Sequence, residues 1–373
     1  DRSPSRGLGD VYKRQFMKKF STLLILFCCI FHSLLAGCGA PTESKDISVQ
    51  PIPIPQQKNV PANVKWTWGG IYNPTHPIAQ NHSAANARLQ KLTADYFQIT
   101  YTDYDTLGYS GGHGINLVRE GVFAMWETVP MYLTLDSPEM NIYHLMGLCT
   151  SYDQAEAMFY ATKPLRSEIY DNDHRLIIDP SYGSFTYPQQ AIFTKEPLTD
   201  IQSFLDMKIR HNTALGVNQL SSLGITAAQI PWEDTYQSLK DGQVDAAITS
   251  ISAAASNDFQ EITPYYTVLP ACGGYAESVF NIDAHFSIPD DTMTILNSVG
   301  LELSAMNRNF WMTQIEQGND TRFGSENTFS PSPLSEAMAA ELTQLLKGSI
   351  DDWAQRIGPE ANKFLSMAQN LSN

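Results

Sequence analysis

The stretch Leu239-Lys240-Asp241-Gly242-Gln243-Val244-Asp245 predicts the end of a helix, a turn at a glycine and the start of a buried strand. The helix begins at Pro231-Trp232-Glu233-Asp234, where proline suits the first turn and acidic side chains lie near the positive end of the helix dipole. The same order occurs in the first half of the chain, where Leu117-Val118-Arg119-Glu120-Gly121 precedes the apolar run Val122–Trp126. Because helix and strand alternate in both halves, the sequence predicts an α/β fold with two similar lobes.

Further periodic segments surround these two units. Alternation predicts strands at Val64–Trp68 and Phe97–Tyr101, and helical composition predicts a helix at Ser83–Ala94. The C-terminal third is predicted to be helical, with helices at Asp291–Met312, Pro333–Lys347 and Asp351–Asn370. Open sheets of this kind hold ligands beyond the carboxyl ends of their strands, so two facing lobes predict a ligand cleft between them.

The charge balance limits the classes of partner. The chain has 373 residues and a formal net charge of -15. Residues 1–37 carry six basic and two acidic residues, so the chain without them has a net charge near -19. Such a surface repels nucleic acid, and no nucleic-acid partner is expected. An anionic ligand must therefore be held by a local cationic group.

The N-terminal region predicts export and lipid anchoring. Met17-Lys18-Lys19 precedes the apolar run Phe20–Leu35, and the segment ends in Leu35-Ala36-Gly37-Cys38. This pattern predicts a signal peptide at residues 17–37, and its ending resembles a bacterial lipobox, which implies lipidation of Cys38 and a lipid-anchored periplasmic protein. A plain signal peptide or a short anchor helix is the alternative. Residues 1–16 are interpreted as spurious upstream sequence, and the Pro-rich residues 38–63 as a tether.

Cysteines and histidines point to no cofactor or metal. Of the five cysteines, Cys149 and Cys272 remain after export and lipidation, and either pair with each other or stay free. The eight histidines show no zinc-type spacing, and no phosphate-binding glycine loop is present. Neither a metal nor a cofactor is expected.

A family resemblance rests on the segment 198–245. Leu198-Thr199-Asp200-Ile201, Met207-Lys208-Ile209-Arg210, Ile230–Leu239 and Asp241–Asp245 resemble, in order and spacing, the solute-binding proteins of TRAP transporters of the dicarboxylate-binding (DctP-like) type. The resemblance covers residues 64–370. It implies a two-lobed periplasmic solute-binding fold with mixed sheets, a ligand cleft between the lobes and a helical C-terminus. Lobe I is predicted at 64–187 plus 275–318, and lobe II at 188–274 plus 319–373.

The resemblance implies a receptor, with no catalysis of its own, that binds a small organic acid and delivers it to the subunits of a TRAP-type membrane permease. The residues that we expect to bind the ligand are Arg210, Trp232, Tyr236, Trp126, Glu127, Thr249, Asn212 and Gln190. Arg210 ends a predicted strand, and its guanidinium can hold a carboxylate with two parallel hydrogen bonds. Gln190 stands where many relatives have a second arginine.

The other predicted site residues have alternative interpretations. Trp232, Tyr236 and Trp126 are interpreted as aromatic walls or, alternatively, as core residues. Glu127 accepts a hydrogen bond from a ligand hydroxyl or amine, or lies on a solvated face. Asn212 and Thr249 are expected to donate to ligand oxygens.

Two other functions stay open at this point. Gly108-Tyr109-Ser110-Gly111-Gly112 fits the nucleophile elbow of a serine hydrolase, which predicts a secreted lipoprotein esterase with Ser110 as its nucleophile. The segment before it, Thr102–Thr106, is not the apolar strand that such an elbow requires. Within transport, the alternative is an ABC-type or sensor-coupled binding protein.

Overall fold

The computed structural model describes residues 63–149, 151–179, 181–271, 273–316 and 329–369, which belong to one unit, Pro55–Asn373. The upstream residues 1–16, the signal peptide 17–37, Cys38, the tether up to residue 62, and Cys272 lie outside the described residues. Within these ranges, no helix combines the length and the apolar character needed to cross a membrane.

The sheet of lobe I has the strand order β2-β1-β3-β11-β4, with β5 paired to β11. These strands are β1 (Val64–Gly70), β2 (Phe97–Asp103), β3 (Met125–Thr128), β4 (Leu176–Ile177), β5 (Phe185–Thr186) and β11 (Tyr275–Asn281). β1 runs parallel to β2 and β3, whereas β11 runs antiparallel to β3, β4 and β5. The carboxyl ends of β1, β2 and β3 therefore share an edge with the start of β11.

The sheet of lobe II has the order β12-β10-β6-β9-β7-β8. Its strands are β6 (Ala191–Thr194), β7 (Lys208–His211), β8 (Thr226–Gln229), β9 (Ala246–Thr249), β10 (Tyr265–Val268) and β12 (Ser330–Pro331). β7, β8 and β9 are parallel, and β6 is antiparallel to β9. The predicted α/β fold with two lobes and mixed sheets is confirmed.

Helices cover both sheets and form most of the C-terminal region. They are α1 (Pro77–Leu92), α2 (Tyr104–Leu107), α3 (Gly114–Arg119), α4 (Tyr152–Ala161), α5 (Lys163–His174), α6 (Ile201–Leu205), α7 (Ala214–Ser222), α8 (Trp232–Lys240), α9 (Ile251–Ser256), α10 (Ile282–Ser287), α11 (Asp290–Glu316), α12 (Glu336–Ile357) and α13 (Pro359–Gln369). The predicted helical C-terminus is confirmed.

Three predicted element boundaries were wrong. The helix predicted at Ser83–Ala94 begins at Pro77, where proline occupies its first turn. The strand after Gly121 begins at Met125 and not at Val122, because Gly121 turns the chain at φ 76° and leaves Val122 55% exposed. The C-terminal helices break at Gly358, where φ is 90°, and not near Gly348, which lies inside α12. A glycine inside a helix costs stability but does not end it.

The two lobes are joined at several places. The chain passes from β5 to β6 through residues 187–190 and returns to lobe I between β10 and β11. The backbone N–H of Tyr187 donates to the carbonyl of Gly274 at 3.1 Å. Gln219 on α7 bonds both the N–H and the carbonyl of Met146 and also contacts Ser349. These contacts link lobe II to the 3-10 segment Pro138–His144 and its continuation in lobe I.

Helix α12 spans the hydrophobic cores of both lobes. Leu342 and Leu346 pack with the lobe II core, whereas Ile350 and Trp353 pack with the lobe I core. α13 packs in the lobe I core as well. The lobe limits stay a prediction, but residues 350–368, placed in lobe II from the sequence, pack with lobe I.

Candidate functional site

The carboxyl edge of the lobe II sheet brings together residues that are far apart in the chain. Because β7, β8 and β9 are parallel, the residues that end or follow them lie along one edge. Since Ala191 pairs with Thr249, the antiparallel β6 starts at this same edge. Five of the predicted site residues therefore lie there: Gln190, Arg210, Asn212, Trp232 and Thr249.

Arg210 is 1% exposed and is held by the ends of the neighbouring strands. Its Nε donates to the carbonyl of Ile230 at 3.0 Å, and its Nη1 donates to the carbonyl of Ile248 at 3.4 Å. The guanidinium carbon lies 5.7 Å from the centre of the Trp232 ring. The backbone thus fixes the orientation of the guanidinium before a ligand arrives, and an orientation fixed in advance lowers the entropic cost of binding.

Trp232 opens α8 and lies at the rim of this edge. Its ring stacks on Phe259 with centroids 5.6 Å apart, while 37% of the residue remains exposed. An indole with one covered face and an accessible remainder provides apolar surface beside the guanidinium. Exclusion of water by that surface strengthens an ion pair formed there.

The polar residues of the edge differ in how their side chains are engaged. Asn212 has a buried Oδ1 with no hydrogen-bond partner among the described residues. Thr249 is half-buried at the end of β9. The carbonyl of Gln190 accepts from the N–H of Leu269 at 2.9 Å, and the residue is half-buried.

Tyr236 does not join this group. Its hydroxyl donates to Oε2 of Glu261 at 2.7 Å, at an exposed position. The hydrogen bond to Glu261 raises the pKa of the Tyr236 hydroxyl. The Lys240 ammonium lies 5.9 Å from the centre of the Tyr236 ring. The tyrosine is part of the outer surface of α8, and these contacts do not support a role in ligand binding.

In lobe I, the two predicted site residues of β3 differ in their surroundings. Trp126 is fully buried and stacks on Tyr104 with centroids 4.7 Å apart, so that it is a core residue. Its indole fills the space beside Gly69 and Gly114, where a Cβ atom would lie within about 2 Å of the ring. Glu127, the next residue, lies at the carboxyl edge of the sheet.

Glu127 is a fully buried carboxyl group with one satisfied oxygen. Oε2 accepts from the N–H of Ile71 at 2.8 Å and from the Tyr101 hydroxyl at 3.1 Å. Oε1 has no partner among the described residues. Burial raises the pKa of Glu127 to about 7, because removal from water destabilises the charged form more than these two hydrogen bonds stabilise it.

Tyrosines surround this carboxyl group, and the sequence analysis did not identify them. Burial and then the charge of Glu127 raise the pKa of Tyr101 and Tyr104. Tyr72 and Tyr187 bond to each other. Burial is the largest cause that raises the pKa of both hydroxyls, and the charge of Glu127 raises it further. Tyr72 follows the first strand and Tyr104 follows the second, so the same edge rule that selected Arg210 would have found both.

Two buried histidines near the crossing segments were also missed. Burial lowers the pKa of His144 to about 4. Burial, followed by the charges of His144 and Arg210, lowers the pKa of His211 to about 3. Neither ring nitrogen of His144 has a partner among the described residues. Both imidazoles are therefore neutral at physiological pH.

Ser110 does not lie on a nucleophile elbow. It follows the helical turn α2 and not a strand, and its hydroxyl lies 3.2 Å from Nδ1 of the exposed His113. Ser110 and His113 form the capping box of a short 3-10 turn, which accounts for their contact. Among the described residues, no three His, Cys, Asp or Glu side chains converge as metal ligands. Cys149 is disulfide-bonded.

A family model matches most of the chain. The model of DctP, described as the bacterial extracellular solute-binding protein of family 7, matches residues 69–351. A curated solute-binding protein of Albidiferax ferrireducens is 26% identical over 193 residues, which are 50% of this chain and 55% of that protein. The chain thus spans about half the length of the curated relative that it matches.

Solved structures share the fold. DctP7 of Bordetella pertussis, an extracytoplasmic solute receptor binding pyroglutamic acid, has a TM-score of 0.70 and 20% identity, covering 82% of this chain and 99% of its own. A TRAP solute-binding protein from a marine metagenome, specific for pyroglutamate, has a TM-score of 0.66 and 19% identity, covering 83% and 99%. At these identities the likeness shows the two-lobed fold.

Proposed function

This chain belongs to the bacterial extracellular solute-binding proteins of family 7, and from that premise we propose that it captures a small organic acid and delivers it to a TRAP-type membrane permease. The family consists of solute receptors and not of enzymes, so the esterase alternative for Ser110 is set aside. The observation that carries the proposal is the guanidinium of Arg210, held in place at the carboxyl edge of the lobe II sheet.

The carboxylate of the ligand binds to Arg210. Among the site residues gathered at this edge, Arg210 is the cation, and its planar fork matches a carboxylate. Trp232 covers the ion pair from the rim. Asn212 and Thr249 follow or end strands of the same edge, and their side chains bond further ligand oxygens. Glu127 supplies the contact from lobe I. The two structural relatives named above bind a carboxylic acid, which supports this ligand class.

Closure of the lobes then buries the ligand and creates the form that the permease recognises. A ligand that contacts both lobes stabilises the closed arrangement over the open one. The resemblance of residues 35–38 to a lipobox supports anchoring of the receptor in the periplasm through lipid on Cys38. Mass spectrometry of the membrane fraction tests the anchor, which predicts a diacylated Cys38 at the N-terminus.

The ligand is identified by a thermal-shift screen of organic acids on the full-length chain in mild detergent, followed by calorimetry on the hits. We compare Arg210→Ala and Arg210→Lys with the control Arg88→Ala, which removes an arginine from an exposed ion pair with Glu302. Arg210→Ala is expected to cost about 2–5 kcal/mol of binding free energy, because it leaves the ligand carboxylate buried and unpaired.

Arg210→Lys keeps the charge but loses the fork, so its loss of affinity is expected to be smaller yet at least about tenfold. Arg88→Ala is expected to bind like the wild type. The proposal fails if no organic acid raises the melting temperature, or if Arg210→Ala and Arg88→Ala bind equally well. Co-purification of the ligand-bound chain with its membrane partner distinguishes a TRAP permease from an ABC permease or a sensor kinase.

A further inference from the structure

The unpartnered oxygen of Glu127 points to a specific kind of ligand. The residue is 0% exposed, yet only Oε2 accepts hydrogen bonds, from Ile71 and Tyr101. A buried polar atom without a partner is costly and uncommon in native proteins. Since Oε1 lies at the same carboxyl edge where ligands bind in such sheets, a donor on the ligand is the natural partner for it.

The charge of Glu127 is also uncompensated. None of the ion pairs among the described residues includes Glu127. The titratable groups that face it are the hydroxyls of Tyr72, Tyr101, Tyr104 and Tyr187, from four different segments, and none of these carries positive charge. We call Glu127 and these four tyrosines the tyrosine cup.

The cup has the composition of a site for a cation. Tyrosine rings attract cations through their faces, and Tyr72, Tyr101 and Tyr187 are half-buried residues of the cup. His82 lies behind Tyr101, with ring centroids 4.7 Å apart, and burial lowers its pKa to about 3, so it adds no positive charge. A buried carboxylate inside an aromatic cup gains most from a positively charged partner.

We propose that the ligand is a zwitterion, whose carboxylate binds Arg210 and whose protonated nitrogen enters the tyrosine cup and donates to Oε1 of Glu127. This inference rests on the proposed function, since it takes the carboxylate at Arg210 as given. It excludes simple dicarboxylates as the preferred ligands. A second carboxylate would meet the carboxyl group of Glu127, and it would be accepted only with Glu127 protonated.

The affinity for a ligand with a protonated nitrogen and the affinity for a ligand with a second carboxylate have opposite pH dependences. Binding of a cation requires ionised Glu127, so its affinity rises with pH as the group with a pKa of about 7 loses its proton. Between pH 6 and pH 8 this gives about a tenfold gain for the zwitterion. A second carboxylate requires the protonated form, so its affinity falls by a similar factor over the same range.

The test measures the affinity of the full-length chain in mild detergent for matched pairs of acids. One acid of each pair carries a protonated nitrogen and the other does not, as in L-proline with tetrahydrofuran-2-carboxylate and 4-aminobutanoate with butanoate. The panel also holds other amino acids, betaines, succinate and pyroglutamate. We expect the tightest hit to carry a protonated nitrogen and to lose at least about tenfold in affinity with Glu127→Gln, which keeps the shape and removes the charge. Glu261→Gln, which alters the surface carboxylate bonded to Tyr236, serves as the control and leaves the affinity unchanged.

The outcomes separate this inference from the proposed function. If the tightest hit lacks a protonated nitrogen, or if Glu127→Gln binds it as well as the wild type does, the zwitterion inference is overturned while dependence on Arg210 still supports the receptor. If Arg210→Ala also binds normally, the proposed function fails as well. Glu127→Gln is expected to fold, because ionised Glu127 destabilises the ligand-free protein above pH 7, and its melting temperature at pH 8 reports this directly.

Discussion

The ion pair between Arg166 and Glu277 offers the sharpest test of how lobe I is held together. Both side chains are 0% exposed. Nη2 of Arg166 donates to Oε1 of Glu277 at 2.9 Å, and Nε donates to Oε2 at 3.1 Å. Nη1 donates to the hydroxyls of Thr162 at 2.9 Å and Tyr143 at 3.1 Å, and to the carbonyl of Phe159. Every side of the guanidinium is thus bonded.

The position of Glu277 links this pair to the crossing between the lobes. The residue lies on β11, three positions after Gly274, where the chain re-enters lobe I. Removal of one partner leaves a buried charge without compensation, which typically costs about 3–5 kcal/mol. We expect that loss for Glu277→Gln, because the amide keeps one acceptor but not the charge.

For a chain of this size, the loss corresponds to a fall in melting temperature of about 2 °C per kcal/mol, or about 6–10 °C. The double variant Arg166→Met/Glu277→Leu is expected to recover most of it, since apolar residues of similar volume replace buried ion pairs at little cost. Arg356→Met, which removes an exposed pair with Asp352, serves as the control and costs at most about 1 kcal/mol. Urea denaturation of the wild type and these three variants measures the differences in the free energy of unfolding. A loss below about 1 kcal/mol for Glu277→Gln would refute the reasoning.

Two further predictions concern packing and pH. Gly114→Ala is expected to destabilise the protein by about 1–3 kcal/mol, because its Cβ would lie 2.0 Å from the buried Trp126 ring. Gly348→Ala is expected to stabilise the protein by about 0.5–1 kcal/mol, because the position lies inside α12 with open space around it. If urea denaturation gives both variants a change of the same sign, this reasoning is contradicted. Burial lowers the pKa of five histidines: His76, His82, His144, His211 and His285. As the pH falls below 6.5, these histidines take up protons in the unfolded chain before they do so in the folded protein. Each therefore lowers the free energy of unfolding by up to about 1.4 kcal/mol per pH unit between pH 6 and 4. Urea denaturation at several pH values gives the slope of unfolding free energy against pH, which should be smaller by that amount in His144→Gln. The same slope in His144→Gln and the wild type would disprove the contribution of His144.

The elements with clear local signals were predicted from the sequence. Strands at 64–70, 97–103 and 208–211 match the predicted ones to within two residues, because alternation of side chains is a local property. Arg210 was selected because the segment around it resembles the family and because it ends a predicted strand, which fixes the sheet edge at which it lies. The order of β7, β8 and β9 then brings Asn212, Trp232 and Thr249 beside it.

What depends on contacts between distant segments could not be predicted. The surroundings of Glu127 come from Ile71, Tyr101, Tyr104 and Tyr187, which span more than a hundred positions, and no local pattern indicates that they meet. The placement of α12 across both cores is also a tertiary property. Its apolar stripe continues through Leu346 and Ile350 without any change that would mark the passage from lobe II to lobe I.

The location of the two charged groups bears on how binding is coupled to closure. Arg210 belongs to lobe II and Glu127 to lobe I, so a ligand with a single carboxylate gains its strongest contact from one lobe alone. Such a ligand has similar affinity for the open and closed arrangements, and it shifts the equilibrium between them very little. A ligand that also carries a group for Glu127 makes both strong contacts only when the lobes meet. The second group therefore decides which acids, among those that bind, produce the closed receptor.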